Sequence, residues 1–172
     1  MRIEELTGPE ARAVVEPLAE LLHACVHDGA SIGYILPFEP PVACAFWEGV
    51  ADEVARGLTR MFVAREAGEV VGVVLLQLAM KQNQQHRATV AKLLVHPNAR
   101  RRGTGRALMV TVEAAARQAG RVLLILDTRT GDPSEALYRS VGFSLAGVMP
   151  AYARHPIDPV LEDCSLMYKH IA

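Results

Sequence analysis

Apolar positions along the chain recur with different periods, and each change of period marks an element. Residues 1–6, MRIEEL, read as a short first strand. Val14, Leu18, Leu21, Leu22 and Cys25 then fall on one face of a helical repeat. Pro17 lacks the N–H that a helix interior needs, so this helix either kinks there or begins near Glu16. HDGASIGYILPFEPP, from His27 to Pro41, breaks the periodicity with glycine and proline and reads as a loop. Helical spacing resumes at Ala43, Phe46, Trp47, Val50 and Val54.

From Met61 the pattern changes. MFVAREAGEVVGVVLLQLAM predicts two strands joined by a tight turn near Glu66 to Glu69. HRATVAKLLVHP predicts a further strand, ended by Pro97. Leu108, Met109, Val112, Ala115, Ala116 and Ala119 form one helical face, with Glu113 and Arg117 as an i,i+4 pair elsewhere and Gly120 placed to end the helix. VLLIL, Val122 to Leu126, has no polar alternation, as expected of a central strand covered on both faces. PSEALYRSV predicts a short helix, and GFSLAGVM and EDCSLMYKHI predict closing strands. The expected order is β-α-α-β-β-β-α-β-α-β-β, one mixed α/β domain over residues 1–172 without repeats or linkers.

Composition narrows the function classes. Hydrophobic residues make up 51% and charged residues 22%, an ordinary globular balance. A net charge of −1 argues against nucleic-acid binding driven by overall charge. No apolar run is long enough to span a bilayer, and the acidic N-terminus lacks the charge pattern of a signal peptide. Cys25, Cys44 and Cys164 are odd in number and widely spaced, which favours reduced thiols over a disulfide framework or a zinc site. The expectation is a cytoplasmic protein with no membrane, metal or nucleic-acid partner.

VHPNARRRGTGRALM, Val95 to Met109, stands apart because it crowds Arg100, Arg101, Arg102 and Arg106 around Gly103 and Gly105. A strand that leads through a glycine turn into a helix presents unpaired N–H groups and the positive end of the helix dipole. Glycine lets the backbone approach a bulky anion, and arginine adds charge-assisted bonds. The arginines alone would more often be a solvated cluster; the glycine pair tips the reading to phosphate binding. The Walker spacing is absent, and Leu108 occupies the third glycine position of the dinucleotide fingerprint, so neither an NTPase nor a Rossmann site is indicated.

RRRGTG, Arg100 to Gly105, resembles the Q/R-x-x-G-x-G/A motif of the GCN5-related N-acetyltransferase (GNAT) superfamily. The preceding LLVHP is similar to that family's L-x-V-x-P strand end, and ALYRSVGF, Ala136 to Phe143, is similar to its second signature. Within the superfamily, HDGASIGY, RATVAKLLVHPNARRRGTGRALM and LLILDT resemble the tabtoxin-resistance acetyltransferases, which act on an amino-acid-like β-lactam toxin.

The resemblance implies a GNAT fold and transfer of an acetyl group from acetyl-CoA to an amine. It implies that the backbone of Leu93, Leu94 and Val95 pairs with the pantetheine arm, one amide meeting the developing oxyanion. Residues Arg100, Arg101, Arg102, Gly103, Thr104, Gly105 and Arg106 would hold the pyrophosphate, and Tyr138 would protonate the leaving thiolate. The acceptor would be a small-molecule amine; a protein amine, or a non-catalytic acyl-CoA-binding role, are the alternatives. Paired chains are common in the family, and the closing strands offer an edge for a homodimer.

An alkyl ammonium must lose a proton before it can attack. Many family members carry a glutamate for this on the third strand of the central run, where this chain has Thr89. Asp127, a carboxylate at the end of an apolar run, is the preferred substitute; it could instead hold a turn or bind the substrate ammonium. Glu135 and a water chain are further candidates. His27, Asp28, Ser31 and Tyr34 either contact the acceptor or form a helix C-terminus closed by Gly29.

Overall fold

In the computed structural model, which describes residues 1–171, strand β1 (Arg2–Leu6) leads into three helices, α1 (Gly8–Ala13), α2 (Val15–His27) and α3 (Pro40–Ala55). Strands β2 (Thr59–Glu66), β3 (Glu69–Leu78) and β4 (Arg87–Val95) follow. Helix α4 (Thr104–Gln118), strand β5 (Leu123–Arg129), helix α5 (Pro133–Ser140) and strands β6 (Ser144–Arg154) and β7 (Leu161–His170) complete the chain. All seven strands form one mixed sheet in the order β1-β2-β3-β4-β5-β7-β6.

The sequence predicts two helices between β1 and β2, and the structure has three. The extra one is α1, whose start is fixed locally. The Glu10 carboxylate accepts the Thr7 N–H at 2.8 Å and the Thr7 hydroxyl at 2.6 Å, and Pro9 sits in the first turn where no N–H is needed. Because α2 begins at Val15, Pro17 also lies in a first turn. It starts a helix rather than kinking one.

Two cores cover the two faces of the sheet. Leu18, Leu21 and Leu22 of α2 and Trp47 of α3 pack with Met61, Val63 and Leu75. Burying one such large apolar side chain contributes about 2–3 kcal/mol. On the other face, Leu108, Met109 and Val112 of α4 pack with Val74, Leu76, Leu124 and Met167. The apolar run of β5 reads as a strand covered on both faces, but only one face is. Leu124 and Leu126 are buried in the second core, Val122 is exposed and Leu123 and Ile125 are partly buried, because α2 and α3 pack over β2, β3 and β4 instead.

The feature that matters for function lies at β4. Among the described residues β4 and β5 form the only parallel pair of the sheet, and only through Arg87, Ala88 and Thr89 opposite Leu123, Leu124 and Ile125. Beyond Thr89 the two strands separate. On its other edge β4 skips a register step, so that Lys92 and Leu93 both stand opposite Val74, with Lys92 at φ 50°. A bulge of this kind bends a strand and increases its twist. Here it turns β4 away from β5 and opens the middle of the sheet.

Candidate active site

The opening between β4 and β5 is a cleft of about 1130 Å³. Past Thr89, β4 pairs with no strand on its β5 side among the described residues. Its edge from Val90 to Leu94 is therefore open at the cleft, ready to receive an extended chain as a strand would, while the Val95 carbonyl is taken by Arg100. Leu93, Leu94 and Val95 line the cleft here.

Immediately after β4 the chain makes one 3-10 turn, Pro97 to Ala99, and enters α4. Gly103 sits just before α4 at φ 86°, and nothing lies within 4 Å of where its Cβ would stand. Glycine is favoured at such a dihedral, and the space beside it is open. A Cβ at Gly105 would come within 3.1 Å of Leu137, so this glycine lets α5 approach the start of α4. Thr104, the first residue of α4, has a buried hydroxyl with no hydrogen-bond partner among the described residues. Such a group, lining a cleft at a helix N-terminus beside exposed arginines, fits a phosphate ligand.

The four arginines of this turn do different things. Arg101 (φ 65°) and Arg106 line the cleft, the latter also donating to Ser140 Oγ at 2.8 Å. Arg102 lies outside the lining and pairs with Glu66 at 3.5 Å. Arg100 donates through Nε to the Val95 carbonyl at 3.1 Å and pairs with Asp28. Its guanidinium thus ties the end of β4 to the end of α2.

Tyr138, on α5, forms the wall opposite β4. Only 7% of the residue is exposed, and its hydroxyl has no hydrogen-bond partner among the described residues. Burial, reinforced by the negative charges of Asp132 and Asp127, pushes its phenol well above the ordinary value. Asp132 is itself held as a carboxylate. Burial alone would raise its pKa, but hydrogen bonds from Ser134 and the Arg129 guanidinium outweigh this and lower it. Cys25 and Cys164 also line the cleft, and burial raises both thiols, so neither is poised as a thiolate nucleophile.

Asp127, still paired with β7, stands two residues past the last residue of β5 that pairs with β4 and lines the cleft. The other lining carboxylates are engaged: Asp28 by Arg100, Asp132 and Glu162 by Arg129, and Asp163 by the Ala151 N–H at 2.9 Å. Asp127 has no hydrogen-bond or ion-pair partner among the described residues. Thr89 is the last residue of β4 paired with β5 and does not line the cleft. Glu135 is occupied by the Gly131 N–H at 2.9 Å and by Arg139 at 2.7 Å.

The loop after α2 covers the other end. Asp28 and Ser31 line the cleft, but His27 and Tyr34 do not. His27 stacks on His23 with ring centroids 3.9 Å apart, and Tyr34 packs on Phe38 at 4.4 Å. Three cations hold the loop down: Arg100 through Asp28, Arg129 through the Gly29 carbonyl at 3.1 Å, and Lys92 through the Ile32 carbonyl at 2.6 Å. Lys92 and Arg129 were not singled out by sequence reasoning. A lysine inside the otherwise apolar VAKLLV is the one signal that could have found the first.

The acetyltransferase (GNAT) domain family matches residues 57–145, more than half of the chain, from just before β2 to the start of β6. The chain belongs to this family. As a GNAT enzyme it is an acetyl-CoA-dependent N-acetyltransferase. Its fold is shared with a ribosomal-protein-alanine N-acetyltransferase from Brucella melitensis, at 22% identity over 99% of both chains with a TM-score of 0.82. A putative acetyltransferase from Salmonella typhimurium, solved with acetyl-CoA, matches 99% of this chain and 94% of its own at 19% identity and a TM-score of 0.80. An aminoglycoside 6'-acetyltransferase of type Ii is 18% identical, covering 100% of this chain and 98% of its own, with a TM-score of 0.73. No helix of this GNAT chain among the described residues is long and apolar enough to cross a membrane.

Proposed function

We propose that this GNAT domain acetylates a small-molecule amine, of the size and polarity of an amino-acid-like metabolite, toxin or antibiotic, by direct attack within a ternary complex. The observation that carries the reading is the loop from Asp28 to Gly33. Pinned by Arg100, Arg129 and Lys92, it lines one end of the cleft, a placement that suits enclosing a small acceptor better than admitting a polypeptide. The cleft volume of about 1130 Å³ lies just above the range of single small-molecule sites, ~300–1,000 Å³, as suits two reactants held together.

Acetyl-CoA supplies an acetyl group activated as a thioester. The edge of β4 at Leu93 to Val95 holds the pantetheine arm and offers an amide to the developing oxyanion. Gly103, Thr104, Gly105 and the side chains of Arg101 and Arg106 receive the pyrophosphate, while Arg100 positions the strand end. Asp127 accepts the proton that the acceptor ammonium must shed, and Tyr138 donates one to the departing sulfur. Two raised thiols in the cleft argue against a covalent acetyl-cysteine intermediate. Three free cysteines suit the reducing cytoplasm. Exposed Val148, Met149 and Tyr152 on the outermost strand, β6, support pairing of two chains there.

Acetyl-CoA-dependent CoA release across amino acids, β-lactam amino acids, polyamines, aminoglycosides and short peptides tests the reading, with acetyl-CoA binding followed by calorimetry. Turnover of small amines and none of peptides is expected. Peptide turnover would move the acceptor to proteins, and binding without turnover of any amine would leave an acyl-CoA-binding domain. The arginine assignment has its own check. Arg101→Glu should weaken CoA and dephospho-CoA alike by about tenfold or more, whereas Arg102→Glu should change either by less than about threefold. Loss confined to CoA would mean that Arg101 reads the ribose phosphate instead.

A further inference from the structure

Lys92 is a cation without a counter-ion. Its ammonium has three N–H donors, and one is used, on the Ile32 carbonyl at 2.6 Å. The rings of Tyr34 and Phe46 lie 5.8 and 5.3 Å from it and supply some cation–π attraction. No carboxylate pairs with it among the described residues. The contrast with its neighbours is plain, since Arg100 and Arg129 line the same cleft and each holds a carboxylate. Placing an uncompensated charge in a half-buried wall is costly. Burial accordingly lowers the Lys92 pKa, and only the field of Asp127 works against it.

Asp127 is the mirror case, a cleft-lining carboxylate without a cation. The two residues do not form an ion pair with each other. One therefore finds, at the acceptor end of a single cleft, an unpaired positive group on the β4 bulge and an unpaired negative group on β5. An amino acid carries the complementary set, an ammonium and a carboxylate. Polyamines and aminoglycosides bring only positive charge, which Lys92 would repel.

We infer that Lys92 receives a carboxylate of the acceptor, so that the acceptor is a zwitterionic amino acid whose ammonium docks on Asp127. This deepens the small-amine reading and rests on it. The bulge is what makes the arrangement possible: with Lys92 at φ 50°, β4 carries an extra residue, and its side chain lies under the loop instead of continuing the strand's alternation. Lys92 is a specificity residue here, with no part in moving the acetyl group.

The test compares free amino acids with their methyl esters on the full chain, wild type and Lys92→Met. An ester has the lower ammonium pKa and so more free amine at neutral pH, which favours it chemically. A preference for the free acid therefore reports recognition. Wild type should favour the free acid by about thirtyfold in kcat/KM, and Lys92→Met should erase that preference by raising KM for the acid far more than for the ester. Equal use of acid and ester by wild type would overturn the inference, whether or not the variant folds. An equal loss for acid and ester in Lys92→Met would do the same, leaving Lys92 as a prop for the loop. Calorimetry on the acetyl-CoA-loaded protein separates this from the reading beneath it. Tighter binding of free acid than of ester without turnover would support carboxylate recognition while refuting catalysis. Turnover of amines with no acid preference would do the reverse.

Discussion

Replacing Gly103 with valine is expected to abolish acetyl-CoA binding in a protein that still folds. The residue stands at φ 86°, a left-handed conformation that costs an L-amino acid about 1–2 kcal/mol, more for a β-branched one. Nothing lies within 4 Å of the position its Cβ would take, so no core contact is broken. In the proposed complex the open space is where the pyrophosphate approaches the first turn of α4, and valine would fill it with methyl groups. Relaxation of the strain would turn the amides away from the ligand as well. Calorimetry should show no acetyl-CoA binding at concentrations that saturate wild type, with a far-ultraviolet spectrum unchanged. Retained affinity would mean that the phosphates sit elsewhere, and the cradle would have to be abandoned.

Tyr138→Phe should lower kcat by about a hundredfold, the usual scale for a lost general acid, while acetyl-CoA affinity changes by less than about twofold. Only the hydroxyl is removed, and it has no hydrogen-bond partner among the described residues, so packing against Phe143, with ring centroids 6.0 Å apart, is kept. The raised phenol pKa bears on the mechanism in two ways. The protonated form is the acid, and a raised pKa keeps it populated past the ordinary phenol range, so Tyr138 should set no alkaline limit on kcat below pH ~10. A raised pKa also makes a weaker acid. A variant that keeps kcat within about threefold of wild type would reduce Tyr138 to a packing residue.

The two halves of the cleft differ in how they were encoded. Gly103, Thr104 and Gly105 sit on one strand–turn–helix passage, and their conformations follow from local chemistry: a proline ends β4, glycine takes the left-handed position, a helix begins. Their local structure could be read from consecutive letters. So could the helix that carries Tyr138, because an N-cap aspartate, Asp132 accepting from the Ser134 N–H at 2.9 Å, fixes its start.

The acceptor half could not be read this way. Arg100 is the instructive residue, since as a letter it belongs to a phosphate motif, yet its side chain binds the Val95 carbonyl and Asp28, 72 positions away. Asp28 thereby ceases to be a free anion for a substrate. His27 and Tyr34 look alike in sequence to Ser31, and only the path of the loop, fixed by Arg129, Lys92 and Arg100, puts Ser31 in the cleft and the other two outside it. Pairing also decided Thr89 and Asp127: the first is the last residue of β4 hydrogen-bonded across to β5, the second stands beyond the split. By itself the sequence determined the mixed α/β order, the strand–turn–helix passage at Gly103 and the short helix that carries Tyr138, because each rests on hydrogen bonds and dihedrals spanning a few residues. Tertiary structure decided which charges remain unpaired, because a charge is spent or left over only when distant partners meet, and here one bulge at Lys92 sets where they do.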